Sequence, residues 1–259
     1  MIVRKEPDGR LLLIGQTDHS RLVGQLGAHW GNAQVARPEP YDSVARAAAF
    51  HDYGWLRYET APELAATGET PEFRQIPTTE AQLAGYQWCI DWLSGIDPYS
   101  GLMVGMHRTG LWRARYETIK HPQNAIRTLS PAVERFIAAN EARQERERKA
   151  FDPAQLWTNY RLLQVWDLLG LYFCCADPVE DFIEPVPLAY GTARNEGVRL
   201  AMTPKDRRRV AFDPYPFDER PCRVQLCYRT LPQTRFDDLA SFRHAYFTAP
   251  VAVMEFELV

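Results

Sequence analysis

Ala47-Ala48-Ala49-Phe50-His51-Asp52-Tyr53-Gly54-Trp55 is the stretch on which the reading of this chain turns. An apolar, helix-favouring run ends in a His-Asp doublet, and Gly54, two residues later, stops the helix. Neighbouring helical residues point about 100° apart, so an imidazole and a carboxylate placed there can grip one ion from two sides. The remaining ligands must come from other helices, and His19, His107 and Asp167 are the candidates.

Upstream of the doublet, Thr17 or Asp18 caps a helix over about 19–30 with Leu22, Val23 and Leu26 on one face. His19 falls in its first turn, whereas His29 points about 80° away on a regular helix. Before that helix, Ile2-Val3-Arg4 and Leu11-Leu12-Leu13-Ile14 flank a Pro7-Asp8-Gly9 turn, which predicts a β-hairpin over 1–16. Downstream, residues 56–77 lack a period and read as a long surface connection, with a lid and disorder as alternatives. Helices then follow at Thr78-Thr79, at Asp97-Pro98 (carrying His107, to about Tyr116), and at Ser130-Pro131. Asp152-Pro153 opens the last long helix, where Leu163, Val165, Trp166, Leu169 and Phe173 leave little polar surface. Asp167 lies in its middle and needs a partner, because an unpaired buried charge is too costly.

From Asp177-Pro178 onward the pattern alternates, with strand signals at 198–202, 210–212, 222–228 and 251–259 and one short helix over 237–245. The expectation is a mainly α protein in three parts. An N-terminal hairpin (1–16) packs with a C-terminal sheet, a helical metal-binding domain occupies 17–180, and a small β-rich region spans 181–259. The sheet made by the two ends is expected to be small and antiparallel.

Composition narrows the function. With 46% hydrophobic residues the 259-residue chain can bury a substantial core. A net charge of −3 gives no electrostatic case for nucleic acid. The first nine residues carry charges where a signal peptide needs an apolar run, and no stretch is long and apolar enough for a membrane span. The five cysteines are odd in number and form no CxxC pair, which suits reduced thiols in a cytoplasmic protein. A homo-oligomer is compatible with the sequence.

His19, His51, Asp52 and Asp167 together offer nitrogen and oxygen donors, a set that suits Mn, Fe, Co, Ni or Zn rather than Ca. In order along the chain, Asp18-His19-Ser20, Phe50-His51-Asp52-Tyr53-Gly54, Gly105-Met106-His107 and Val165-Trp166-Asp167-Leu168 resemble the HD-domain superfamily of metal-dependent phosphohydrolases. The resemblance covers about 17–175. It implies an HD-like helical bundle holding one or two divalent ions through His19, His51, Asp52 and Asp167. A metal-activated water would then attack a nucleotide or another small phosphoester, with Asp52 and His107 as catalytic residues. His107, and less readily His121, would serve as ligand to a second ion. Two positions depart from the family pattern. Trp55 stands where many members have a lysine, and His107 is followed by Arg108 rather than a second histidine. Arg108, Arg113, Arg115 and Lys120 are the available phosphate donors, and Tyr53, Trp55 and Tyr58, directly after the doublet, the available stacking rings, Trp55 foremost. The opening Met-Ile-Val-Arg and His-Asp-Tyr-Gly-Trp also resemble a bacterial family of unknown function, DUF3891. Two rival readings stay open: a non-catalytic ligand- or protein-binding module, and a di-iron oxygenase of the same fold.

Overall fold

The computed structural model describes residues 1–120 and 128–259. The chain opens with strands β1 (Ile2–Lys5) and β2 (Leu11–Ile14), then runs through helices α1 (Gln16–Ala28), α2 (Tyr41–Phe50) and the short α3 (Leu56–Glu59). Three longer helices follow, α4 (Glu80–Ile96), α5 (Pro98–Trp112) and α6 (Pro131–Glu147), before the central α7 (Pro153–Cys175). The rest is β3 (Asp181–Val186), β4 (Val198–Pro204), β5 (Arg209–Asp213), β6 (Cys222–Leu231), α8 (Leu239–Thr248) and β7 (Val251–Leu258).

Local chemistry explains most helix starts. The side chains of Thr79, Asp97, Ser130 and Asp152 each accept from a backbone N–H two or three residues on. Proline follows Asp97, Ser130 and Asp152 directly, where its missing N–H costs nothing. Helix α1 has no such residue, because Gly15 is its cap. Instead the buried carboxylate of Glu59 reaches over from α3, accepting from Gln16 N and from the Thr17 hydroxyl at 2.6 Å. A negative charge at a helix N-terminus is favourable.

The expectation of a mainly α protein with a small antiparallel sheet is corrected. The fold is 48% helix and 19% strand. The seven strands of the described residues form one mixed sheet in the order β1-β2-β6-β7-β5-β4-β3. Strand β7 inserts between β6 and β5, antiparallel to the first and parallel to the second. The parallel pair arises from pairing between segments far apart in sequence, so it leaves no local trace. Strand β3 is hidden for another reason: Glu184 and Pro185 interrupt its apolar pattern, and its register with β4 shifts between Ile183 and Val186.

One face of this sheet carries the helical layer. In β6, Cys222, Val224 and Leu226 point inward while Arg223 and Gln225 face out, as the two-residue period requires. These residues share a single apolar core with Leu22, Val23 and Leu26 of α1 and with Leu163, Trp166 and Phe173 of α7. Strand β2 is buried on both faces. Leu12 and Ile14 join the main core, while Leu11 and Leu13 pack under Phe242 and Tyr246 of α8. Its unbroken apolar run is the signature of that double burial. Residues 56–77 are tied down: Phe73 N donates to Met1 O at 2.9 Å and Phe236 N to Gly68 O at 2.8 Å. Through Phe73, Arg74 and Ile76 this segment forms one wall of a cavity above the helices.

Candidate metal centre

Four helical segments converge beneath that cavity. His19 comes from the first turn of α1, His51 and Asp52 from the end of α2, His107 from α5 and Asp167 from α7. All five side chains are buried. His19 Nε2 lies 3.2 Å from Asp167 Oδ1, and His51 Nε2 lies 3.6 Å from both Asp167 Oδ1 and Asp52 Oδ2. The His51 ring stands edge-on to both other imidazoles, with centroids 5.4 Å from His19 and 4.8 Å from His107.

Close packing makes this convergence possible. A Cβ on Gly24 of α1 would sit 2.6 Å from that of Ala49 in α2, and one on Gly170 of α7 would sit 2.6 Å from His19 Cε1. Glycine at these two positions lets α1 approach both partner helices. Ser20, next to His19, then reaches the doublet: its hydroxyl lies 3.0 Å from His51 Nδ1 and accepts from Asp52 N at 3.3 Å.

The outer ring nitrogens fix the chemistry of the inner ones. His51 Nδ1 lies 2.9 Å from the carbonyl of Ala48, which can only accept, so Nδ1 carries the proton. In the neutral ring its Nε2 has a lone pair aimed into the centre, with no hydrogen-bond partner among the described residues. That is the usual arrangement of a metal-binding histidine. His107 Nδ1 accepts from Gln164 Nε2 at 2.8 Å, which puts the proton on His107 Nε2, also without a hydrogen-bond partner among the described residues.

The two carboxylates each have an inner and an outer oxygen. Inner oxygens face the imidazoles, whereas outer oxygens face guanidinium groups. Arg108 Nη2 donates to Asp52 Oδ1 at 2.5 Å, and Arg115 Nη2 to Asp167 Oδ2 at 3.4 Å. Burial alone would raise the pKa of Asp167, but the hydrogen bond from His19 and the facing His51 and His107 rings hold it well below the usual carboxylate range. For His51, burial works to lower the pKa and the nearby charges of Asp52 and Asp167 outweigh it, so the net shift is upward. His107 goes the other way: burial, reinforced by the charge of His51, keeps it neutral.

These donors fit a divalent transition ion. Ligands about 2.1 Å from an ion at ordinary coordination angles lie about 3.0–3.4 Å apart, close to the 3.2 and 3.6 Å separations found here. Two overlapping sets converge, His19-His51-Asp52 and His51-His107-Asp167, each with donor atoms within 4.8 Å of one another. Both sets need His51, whose single inward lone pair serves only one ion. The second set also needs His107 Nε2, which carries its proton, so the first set together with Asp167 is the arrangement that fits one ion.

Above the centre lies a cavity of about 160 Å³ lined by Asp52, Asp167, Arg74, Arg108 and Arg115, with Trp55, Tyr86 and Trp112 as aromatic walls. The Arg108 guanidinium stacks 4.0 Å from the centre of the Tyr86 ring. Arg115 gets there by an unusual route. The sequence predicts α5 to run to about Tyr116, but the helix ends at Trp112, and Ala114, Arg115, Tyr116 and Glu117 all have φ between 49° and 60°. Left-handed backbone in four consecutive non-glycine residues costs about 1–2 kcal/mol each. Tyr116 helps hold it, through Thr109 Oγ1 at 2.7 Å and through the Arg194 side chain, which donates to its carbonyl at 2.7 Å.

Of the residues named as phosphate or ring contacts, Trp55, Arg108 and Arg115 line the cavity. Lys120 does not line it: its side chain is exposed and its backbone pairs with Glu184 of β3 at 3.0 Å. Arg113 is held by Glu141 on the surface. His121 lies outside the described residues. Gln164, Gly170 and Ser20 are contributors that the sequence reading did not single out. The one signal for Gln164 was its place three positions before Asp167, on the same side of the helix.

No helix among the described residues is long and apolar enough to cross a membrane. A family described as "Protein of unknown function (DUF3891)" matches residues 1–233. No curated protein and no solved structure matches the chain.

Proposed function

The chain belongs to the DUF3891 family, and from that premise we propose that it is a metal-dependent hydrolase of a small phosphoester. The observation that carries this reading is the buried meeting of three imidazoles and two carboxylates under a cavity lined by three arginines. The order of His19, His51-Asp52, His107 and Asp167 along the chain resembles the HD-domain pattern and supports it.

His19, His51, Asp52 and Asp167 would hold the ion, which suits Mn, Fe, Co, Ni or Zn. When bound, such an ion supplies a Lewis acid and lowers the pKa of a coordinated water toward neutrality. Arg108 and Arg115 hold the outer oxygens of Asp52 and Asp167, which orients both carboxylates and keeps two cations at the cavity floor. A phosphate entering the cavity meets those guanidinium groups together with Arg74. With its proton on Nε2, His107 is placed to donate toward a leaving oxygen. Trp55, Tyr86 and Trp112 exclude water from one side and limit the organic part of the substrate to a small group.

Elemental analysis of the purified protein combined with release of p-nitrophenol from p-nitrophenyl phosphate tests the reading. Bound transition metal and metal-dependent turnover, both abolished in Asp52→Ala, are expected. A protein that stays metal-free after incubation with Mn, Fe or Zn would end it. Bound iron with oxygen consumption and no phosphate release would move the assignment to oxidation.

A further inference from the structure

At the end of α1 remote from His19, a second set of donors comes together. His29 caps that helix, the connection between β5 and β6 brings Asp218 and Glu219 against it, and Cys222 opens β6. Donor atoms of His29, Glu219 and Cys222 all lie within 4.8 Å of one another. Asp218 Oδ1 is 3.0 Å from His29 Nδ1. The backbone carrying these residues is held in place: Asp218 N donates to His29 O and Gly31 N to Pro216 O, both at 2.8 Å. Trp30 packs edge-on against Phe217, and Cys222 N donates to the Tyr215 hydroxyl at 3.2 Å. Cys222 is fully buried, a free thiol with no hydrogen bond to its sulfur among the described residues, and it faces the imidazole and the carboxylate.

We propose that His29, Glu219 and Cys222, with Asp218 in reach of the fourth position, form a second metal site that takes Zn²⁺ or an ion of similar softness. Thiolate, imidazole and carboxylate are the donors that zinc prefers, whereas magnesium and calcium want oxygen alone. Donors about 2.0–2.3 Å from the ion stand roughly 3.3–3.8 Å apart, so the site must contract by at most about 1 Å, and His29 Nδ1 and Glu219 Oε1 are already 3.9 Å apart. Glu219, whose side chain is 57% exposed, is free to make that movement. On binding, the Cys222 S–H bond breaks, a sulfur–metal bond forms, and the proton leaves to solvent. The ion would pin the C-terminal end of α1 to the sheet, while the opposite end of the same helix carries His19 of the central site. This second site stands independently of the hydrolase reading.

Cobalt titration of the full-length chain separates the two sites, because the donors assigned to the central one include no sulfur. A thiolate-to-Co²⁺ charge-transfer band in the near ultraviolet, saturating at about one equivalent, is expected. The band should persist in Asp167→Asn, disappear in Cys222→Ser, and need about tenfold more Co²⁺ in Glu219→Gln. Absence of the band in the unaltered protein, or its survival in folded Cys222→Ser, would overturn the site. Should Cys222→Ser fail to fold, Glu219→Gln and His29→Gln decide, and an undiminished cobalt affinity in both would be equally fatal.

Discussion

Helix α7 buries two charges six residues apart, and they are treated in opposite ways. Arg161 is 1% exposed and is met by the backbone. Its guanidinium donates to the carbonyls of Ala193 at 2.9 Å, Pro185 at 3.4 Å and Glu196, all in or beside the β3–β4 connection. Asp167 is 4% exposed and is met by side chains: two imidazoles on one oxygen and a guanidinium on the other. Carbonyls can only accept, so Arg161 has no other chemistry open to it and acts as a staple between helix and sheet. Imidazoles can surrender a proton and take a cation in its place. Beside Asp167, His51 keeps an inward nitrogen without a hydrogen-bond partner among the described residues, which is what would let this buried charge share a cation.

The sharpest way to break this contrast is to neutralise each charge in turn. Asp167→Asn keeps the shape and removes the anion, so metal affinity should fall by about 100-fold or more, the upper end of losses at such centres. Arg161→Met should leave metal content unchanged by elemental analysis. Retained metal in the first variant, or lost metal in a folded sample of the second, would mean the two charges are not different in kind. In urea unfolding, Arg161→Met is expected to cost about 2–4 kcal/mol, because several carbonyls lose their donor inside the fold.

Acid titration sharpens the contrast further. Asp167 is held below its ordinary value, so its contribution to the metal-free protein is present above about pH 4 and is lost as the pH falls through its folded pKa. His107 is also lowered, from 6.5, so acidification below about pH 6.5 favours the unfolded chain, which takes up the proton that the buried ring refuses. His51, raised, opposes this by adding stability on the acid side of its unfolded pKa, and that contribution fades as the pH rises through its folded pKa. Below about pH 6.5 the His51 contribution is already complete while the loss at His107 continues, so the urea midpoint should drop toward pH 4, and the loss at Asp167 adds to it below about pH 4. Arg161→Met should run parallel to the unaltered protein, and Asp167→Asn should flatten below pH 4. Parallel curves for both variants would show that the Asp167 carboxylate is not held as described.

Gly170 ties the second half of α7 to the first turn of α1. An added Cβ at 2.6 Å from His19 Cε1 and from Val23 Cγ2 must push α1 away. Gly170→Ala should therefore cost about 1–3 kcal/mol and weaken metal binding with it. Unchanged affinity alongside lost stability would show that His19 is dispensable to the ion.

What was legible in the sequence was whatever is settled within a few residues. Thr79, Asp97, Ser130 and Asp152 cap helices from side chains that touch their own backbone. The His51-Asp52 doublet and Asp167 stood out because a polar group in an apolar run must find a partner. The size and mixed pairing of the sheet were not legible. Strand β3 has a broken pattern, and the parallel β5–β7 pair depends on segments about 45 residues apart. Nor did the left-handed run of 114–117 announce itself, for it contains no glycine. Gly170 and Gln164 owe their roles to what tertiary packing places opposite them, so no periodicity could assign them.

Gln164 lies on α7 between the staple and the site, and its amide decides what His107 does. With Nε2 of the amide donating to His107 Nδ1 at 2.8 Å, the imidazole must carry its proton on the inward nitrogen. It can then donate to a substrate but cannot ligate an ion. Gln164→Leu removes this orientation, so turnover should fall by about tenfold while metal affinity stays within about threefold. Gln164→Glu supplies only an acceptor, which draws the proton to Nδ1 and exposes a lone pair on Nε2. That variant should bind metal more tightly and lose turnover. If both variants instead lose metal in equal measure, His107 is a ligand in the unaltered protein and its proton plays no part.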